Sequence, residues 1–282
     1  MRSIFQFQND VFTMFSCLQV AFALLLQPPA YFGYMHFDMT GFSIDKIIGQ
    51  GAHTYVFKVS RGNEEPCALK VFENLDEYDT ELSNLNQLHG ILQNKLEFNH
   101  VPKIMNFQMM VTETISGKKY RALMSLPLCV PIRPERGGRL LRSSHYLQLL
   151  NTLEAVHAGG MFNCDIKPSN VMMHGDNVVL CDWGSAVFTI GDDPLPKRTV
   201  GTIGYCDFTL IKPSPPDASH DLMALVRTVY ANYTFQHVSS DQNTANEFWE
   251  ENFRSIDSMW TKAMNYAREV DYAKLKEMFL KL

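Results

Sequence analysis

Asp165, Lys167 and Asn170 fall close together in the run Asn163-Cys164-Asp165-Ile166-Lys167-Pro168-Ser169-Asn170. Such a carboxylate can accept a hydroxyl proton, the ammonium can neutralise charge on a transferring phosphoryl group, and the amide oxygen can bind a metal. A second hard oxygen donor, Asp182, follows in Asp182-Trp183-Gly184 at the end of the apolar run Val178-Val179-Leu180-Cys181. An Asn and an Asp together suit Mg2+. Upstream, Gly49-Gln50-Gly51-Ala52-His53-Thr54-Tyr55-Val56 lies between two strand-like runs. Glycines there let backbone N–H groups approach phosphates, although a glycine pair also serves as a plain hairpin turn. Lys70 ends Ala68-Leu69-Lys70, and an ammonium turned inward needs an anionic partner. Glu81 is the first candidate; a surface lysine and a surface glutamate are the alternative.

The elements that must hold these groups change character along the chain. Phe42 to Val59 reads as strand, glycine turn, strand, and Arg61-Gly62-Asn63 as a turn before a third strand, Cys67 to Phe72. Asp79 to Leu88 places Leu82, Leu85 and Leu88 three apart, which predicts an amphipathic helix with Glu81 near its start. Lys103–Thr112 and Tyr120–Leu126 read as two further strands joined at Ser116-Gly117-Lys118, and Pro127, Pro131 and Pro134 break regular structure as a hinge. Ser143 to His157 carries Tyr146, Leu147, Leu150, Leu153 and Val156 on one helical face, with Ser143 or Ser144 as N-cap. Helices are expected near Asp217–Tyr233, Ala245–Arg268 and Tyr272–Leu282. The expected class is α+β, a small β-rich lobe followed by a larger helical lobe.

Composition sets the frame. The 282 residues are 46% hydrophobic and carry a net charge of −5, too mild and of the wrong sign for a whole-chain nucleic-acid footprint. Six dispersed cysteines without a C-x-x-C pair argue against a disulfide framework or a zinc knuckle and for a reduced, intracellular setting. The exception is Val11 to Leu26, apolar but for Thr13, Ser16 and Gln19. At 1.5 Å per residue it reaches about 24 Å, short of a ~30 Å hydrocarbon core. A packed helix or extension is preferred there over a signal peptide or membrane anchor.

In their order along the chain these motifs resemble the eukaryotic protein kinases from about Phe42 onward. Gly49-x-Gly51-x-x-Thr54-x-Val56 is similar to the glycine-rich loop with its third glycine replaced. Ala68-Leu69-Lys70 resembles the V-A-I-K strand, Asp165 to Asn170 the catalytic loop, and Asp182-Trp183-Gly184 the D-F-G metal motif. Gly201-Thr202-Ile203-Gly204-Tyr205 resembles the stretch after the activation segment, and Asp221 falls where the family braces the catalytic loop. The missing A-P-E motif and the Val270-to-Leu275 segment are similar to the casein-kinase-one and vaccinia-related group. The resemblance implies a bilobal kinase fold, with residues 1–40 an extension, 41–126 the N-lobe and 127–282 the C-lobe. It implies ATP and Mg2+ as cofactors and Ser/Thr hydroxyls of protein substrates as acceptors. It assigns catalysis to Asp165, Lys167 and Asn170 and metal binding to Asn170 and Asp182. Nucleotide contacts fall to Gly49, Gly51, Val56, Ala68, Lys70, Glu81 and Met172, with Glu73 or Glu77 as alternatives to Glu81.

Departures from the family pattern point to regulation and support more than to chemistry. Asn163-Cys164 stands where the family has H-R, so the arginine that reads an activation-segment phosphate is missing, and Asn163 is expected to cost apolar contact that Trp183 partly refills. Loss of the A-P-E glutamate removes an ion pair that ties the activation segment down. A nucleotide-binding scaffold without turnover is the competing reading, and a small-molecule phosphotransferase of the same fold a third. The expected location is the cytoplasm or nucleus, with contact to a membrane through residues 11–26 as the alternative.

Overall fold

The computed structural model describes residues 35–37, 42–51, 53–113, 119–132, 141–189, 201–206 and 216–282. The apolar run at 11–26, the expected turn at 116–118 and Pro134 lie outside these residues. The chain divides into two compact units, one of residues up to Leu75 with 106–124, the other of 76–105 with 125–282.

The first unit is built on a sheet. Its strands are β1 (Met35–Phe37), β2 (Ser43–Gln50), β3 (Thr54–Ser60), β4 (Cys67–Phe72), β5 (Lys103–Glu113) and β6 (Lys119–Leu126), in the order β1-β5-β6-β4-β3-β2. Alternation along β4 explains its placement: Cys67, Leu69 and Val71 are buried, whereas Ala68 and Lys70 point to the opposite face. Phe57 and Val59 of β3 lie directly across from Leu69 and Cys67, so one face of the hairpin is continuously apolar.

In the second unit, α1 (Leu75–Leu92) is longer than the leucine spacing predicted. Its buried face is Tyr78, Glu81, Asn84, Leu85, Leu88 and Leu92, so Leu82 lies off the stripe and two polar residues lie on it. β7 (Val130–Pro131) takes one expected chain-breaker, Pro131, into a short edge strand, where its missing N–H costs nothing. α2 (Ser143–His157) has the predicted limits, but neither serine is the N-cap: Arg142 is, and its N–H donates to His145 Nδ1 at 3.0 Å. Leu149, rather than Leu147, completes its buried face.

After α2 come β8 (Met161–Phe162), β9 (Val171–His174), β10 (Asn177–Leu180) and β11 (Val187–Phe188), which pair as β10-β9-β7 and β11-β8. Four helices follow: α3 (Ala218–Thr234), α4 (Gln242–Asn252), α5 (Met259–Arg268) and α6 (Tyr272–Phe279). The single helix expected over Ala245–Arg268 is therefore two. The turn-forming run Arg254 to Ser258 interrupts it, and the Ser258 hydroxyl accepts from Trp260 N–H to start α5. Asp217 and Asp241 cap α3 and α4 through the N–H groups of Ser219 and Thr244. Tyr230, Trp249 and Val238 form a satellite core with Phe248, Phe253 and Trp260 packed against it.

Candidate functional site

The β2–β3–β4 register of the first unit sets the expected nucleotide residues in a row. Gly49 lies opposite Val56, and Val56 opposite Lys70. Directly opposed residues of a ladder share a face, and Ala68, two before Lys70, shares it too. Gly51 closes the turn by donating its N–H to the Thr54 carbonyl at 2.8 Å. A Cβ at Gly51 would stand 2.6 Å from Thr54 Oγ1, so the residue that replaces the third glycine folds over the second and would have to turn its hydroxyl away from any larger residue there. The Lys70 ammonium lies 5.3 Å from the centre of the Phe72 ring on the same strand face.

Of the three carboxylates considered as the lysine's partner, Glu81 is the buried one, on the inner stripe of α1. Within the second unit its carboxylate sits beside the D-W-G turn: a Cβ on Gly184 would be 3.4 Å from Glu81 Oε2. One turn along α1, Asn84 Nδ2 donates to the carbonyls of Trp183 at 2.8 Å and Ala186 at 3.0 Å. The sequence signal for Asn84 is a polar residue on the apolar stripe of an amphipathic helix, which the leucine spacing alone does not bring out.

Asp165, Lys167 and Asn170 come together tightly. Lys167 Nζ donates to Asp165 Oδ2 at 2.7 Å, and the Thr202 hydroxyl donates to Asp165 Oδ1 at 2.6 Å. Lys167 also donates to Thr202 Oγ1 at 2.7 Å, closing a triangle. Asn170 turns its NH2 to Asp165, reaching the backbone oxygen at 2.9 Å and Oδ2 at 3.1 Å. That orientation points the amide oxygen away from Asp165, which is how a metal-binding Asn must stand. Asn170 Oδ1 and the Asp182 carboxylate are hard donors and fit Mg2+. Met172 lies on the partly exposed face of β9, opposite the buried Val171 and Met173.

Asn163 corrects one expectation. It is completely buried, yet it makes polar contacts instead of leaving an apolar gap. Its Nδ2 donates to the Asp182 carbonyl at 3.3 Å, and its Oδ1 accepts from Asp165 N–H at 3.1 Å. One amide thus joins the backbones of the two carboxylate-bearing residues. Trp183 fills its own fully buried site and donates Nε1–H to the Leu180 carbonyl at 2.9 Å.

Support comes from below. Asp221 of α3 is 1% exposed and accepts from Asn163 N–H at 2.7 Å, Cys164 N–H at 2.8 Å and His157 Nε2 at 2.9 Å. These bonds hold Cys164 in a left-handed conformation at φ 64°, and Asp182 adopts a similar φ of 60°. With Asp221 at its Nε2 and the Tyr272 hydroxyl at its Nδ1, the His157 ring completes a chain of contacts from α6 to the catalytic loop. Burial, with Asp221 and Glu154 nearby, pushes the Tyr272 hydroxyl pKa upward. Burial also pushes up the Cys164 thiol, reinforced by the Asp221 and Asp165 carboxylates. The described cysteines, Cys164 among them, are thiols.

Comparisons with known proteins give the family and the fold. The family model described as "Protein kinase domain" matches residues 42–279. Serine/threonine-protein kinase D of Synechocystis sp. is 28% identical over 193 residues, 64% of this chain and 37% of that protein. An Aurora kinase of Debaryomyces hansenii is 24% identical over 201 residues, 67% of this chain and 47% of that protein. The chain thus matches less than half the length of either relative. A solved structure of vaccinia related kinase 3 covers 88% of this chain and 90% of its own, with a TM-score of 0.62 at 14% identity, and shares the fold.

Proposed function

The chain belongs to the protein kinase family, and on that premise we propose that it transfers the γ-phosphoryl group of ATP to Ser or Thr hydroxyls of protein substrates. The observation that carries this reading is the triangle of Asp165, Lys167 and Thr202. Asp165 orients the acceptor hydroxyl and takes its proton as the oxygen–phosphorus bond forms and the bond to the leaving ADP oxygen breaks. Lys167 sits where it neutralises charge on the phosphoryl oxygens. The row of Gly49, Val56 and Lys70 supports nucleotide binding, with Ala68 on the same face and Met172 as an apolar floor for adenine. In this reading Lys70 holds the α- and β-phosphates. Asn170 and Asp182 would hold Mg2+, which supplies positive charge to the phosphates when bound.

A second reading, a nucleotide-binding scaffold without turnover, draws on Thr54, whose side chain crowds the glycine loop. The proposal also puts the protein in the cytoplasm or nucleus, where ATP is present, with residues 11–26 retained. Incubation of purified protein with ATP, Mg2+ and generic Ser/Thr peptides separates the two readings. Transfer abolished in Asp165→Asn and in Lys70→Met supports the kinase; nucleotide binding without transfer in the wild type supports the scaffold. Undiminished turnover in Lys70→Met would sink the nucleotide-site assignment.

A further inference from the structure

The segment Gly201–Cys206 brings Thr202 to Asp165, yet the A-P-E glutamate that ties this segment down in relatives is missing. Other side chains hold it. Trp249 Nε1 of α4 donates to the Gly204 carbonyl. Arg227 Nη1 of α3 donates to the Tyr205 carbonyl at 3.0 Å and the Cys206 carbonyl at 2.6 Å. Three successive carbonyls are thus held by two side chains, and these support each other, the guanidinium lying 5.6 Å from the centre of the Trp249 ring. Tyr205 adds an edge-on contact to the same indole at 6.4 Å.

The segment is built to be gripped there. Gly204 sits at φ 94°, and a Cβ on it would come within 3.0 Å of both the Ser239 carbonyl and Val238 Cγ1. Gly201, at φ 115°, packs so closely that a Cβ would be 2.9 Å from the Cys164 carbonyl. Between the glycines, the Thr202 carbonyl accepts from the N–H groups of Tyr205 at 3.1 Å and Cys206 at 3.2 Å, and from the Cys206 thiol at 3.0 Å. Fixing 204–206 therefore fixes Thr202 through one tight turn. Ile203, at the crest of that turn, is 39% exposed.

Arg227 lies six residues beyond Asp221 on the same helix, about 9 Å along its axis. One rigid element thus holds the catalytic-loop backbone at one point and the Thr202 segment at another. We propose that Arg227 and Trp249 are positioning residues that replace the lost glutamate anchor, holding Thr202 and Ile203 as the platform on which the acceptor peptide lies. Charge-assisted donation from a planar guanidinium to carbonyls, backed by an indole, anchors the segment without any phosphate on it. The inference rests on the kinase reading, because it assigns the platform to a protein acceptor.

The test uses the full chain with Arg227→Lys, Arg227→Met, Trp249→Phe and Trp249→Ala. KM for a generic Ser/Thr peptide and for ATP is measured, with amide hydrogen exchange over 201–206. Loss of the platform raises peptide KM about tenfold in Arg227→Met and Trp249→Ala and leaves ATP KM within about twofold. Arg227→Lys and Trp249→Phe, which keep charge or ring, fall between. Exchange at the Gly204–Cys206 amides speeds up while that of α2 stays unchanged. Wild-type peptide KM in all four variants, or equal losses for ATP and peptide, would overturn the proposal. A wild-type protein without transfer activity fails the kinase reading alone. The exchange arm then decides: acceleration confined to 204–206 upholds the anchor, and wild-type exchange removes it.

Discussion

At the scale of single residues, Asn163 has the largest consequences. Its amide satisfies Asp165 N–H and the Asp182 carbonyl at once, in a site closed to water. Asn163→Leu keeps a similar volume but strands both backbone groups. Each unsatisfied buried group costs about 1–3 kcal/mol, so denaturant unfolding should show a loss of that order for the variant. Turnover should fall with it, because both carboxylates lose a shared reference point. A variant as stable and as active as wild type would mean the amide contributes neither. The bridge was not legible in the sequence. An Asn in place of a packing histidine reads as a loss of apolar contact, and only the fold shows what its two ends meet. The meeting of Asp165, Lys167 and Asn170 was legible, since the three lie within six residues of one loop.

At the scale of elements, α1 and α3 each hold a loop at a distance. Asn84 of α1 reaches carbonyls 99 and 102 residues further along the chain, which no local pattern reveals. Asn84→Ala should loosen the D-W-G turn and raise the Mg2+ concentration needed for half-maximal activity; a Mg2+ titration matching wild type would remove Asn84 from that role. α3 begins at Asp217, whose carboxyl is held below its ordinary value of 3.8 by hydrogen bonds from the His220 side chain and from Ser219. A pKa lowered by folding gives stability that is full above the ordinary carboxylate range and fades as pH falls through the folded value. Asp217→Ala should therefore cost about 0.5–2 kcal/mol at neutral pH, with the gap to wild type closing below about pH 4. Urea melts at both pH values check this; a constant gap would place the effect elsewhere. The helix boundaries follow the same logic. The limits of α2 and β4 were readable from periodicity, whereas the α4–α5 break needed the Ser258 cap, and the length of α1 was hidden by its buried polar residues.

At the scale of the whole molecule, control is the question. Cys164 occupies the position of a phosphate-reading arginine; Asp221 braces its backbone N–H, and its half-buried thiol cannot make a bidentate contact. Activity should then need no phosphate at Ser185, Thr189, Thr199 or Thr202. Thr199 lies outside the described residues, while the Thr189 hydroxyl is already donated to the Gly160 carbonyl at 2.9 Å and the Thr202 hydroxyl to Asp165. Protein made with a co-expressed phosphatase, verified by mass spectrometry, should match untreated protein in initial rate. A large loss restored by rephosphorylating one of these residues would refute autonomy.

The chain of contacts from Asp221 through His157 to the Tyr272 hydroxyl has a genetic reading. Codons 272 to 279 encode a short helix far along the sequence from any catalytic motif, a stretch whose loss would not be expected to touch the chemistry. Here a stop at 272 would delete the group that fixes the ring of His157, along with Phe279 against Tyr146. Such an allele would behave as a lesion of the catalytic loop, and so would a Tyr272→Phe missense allele in milder form.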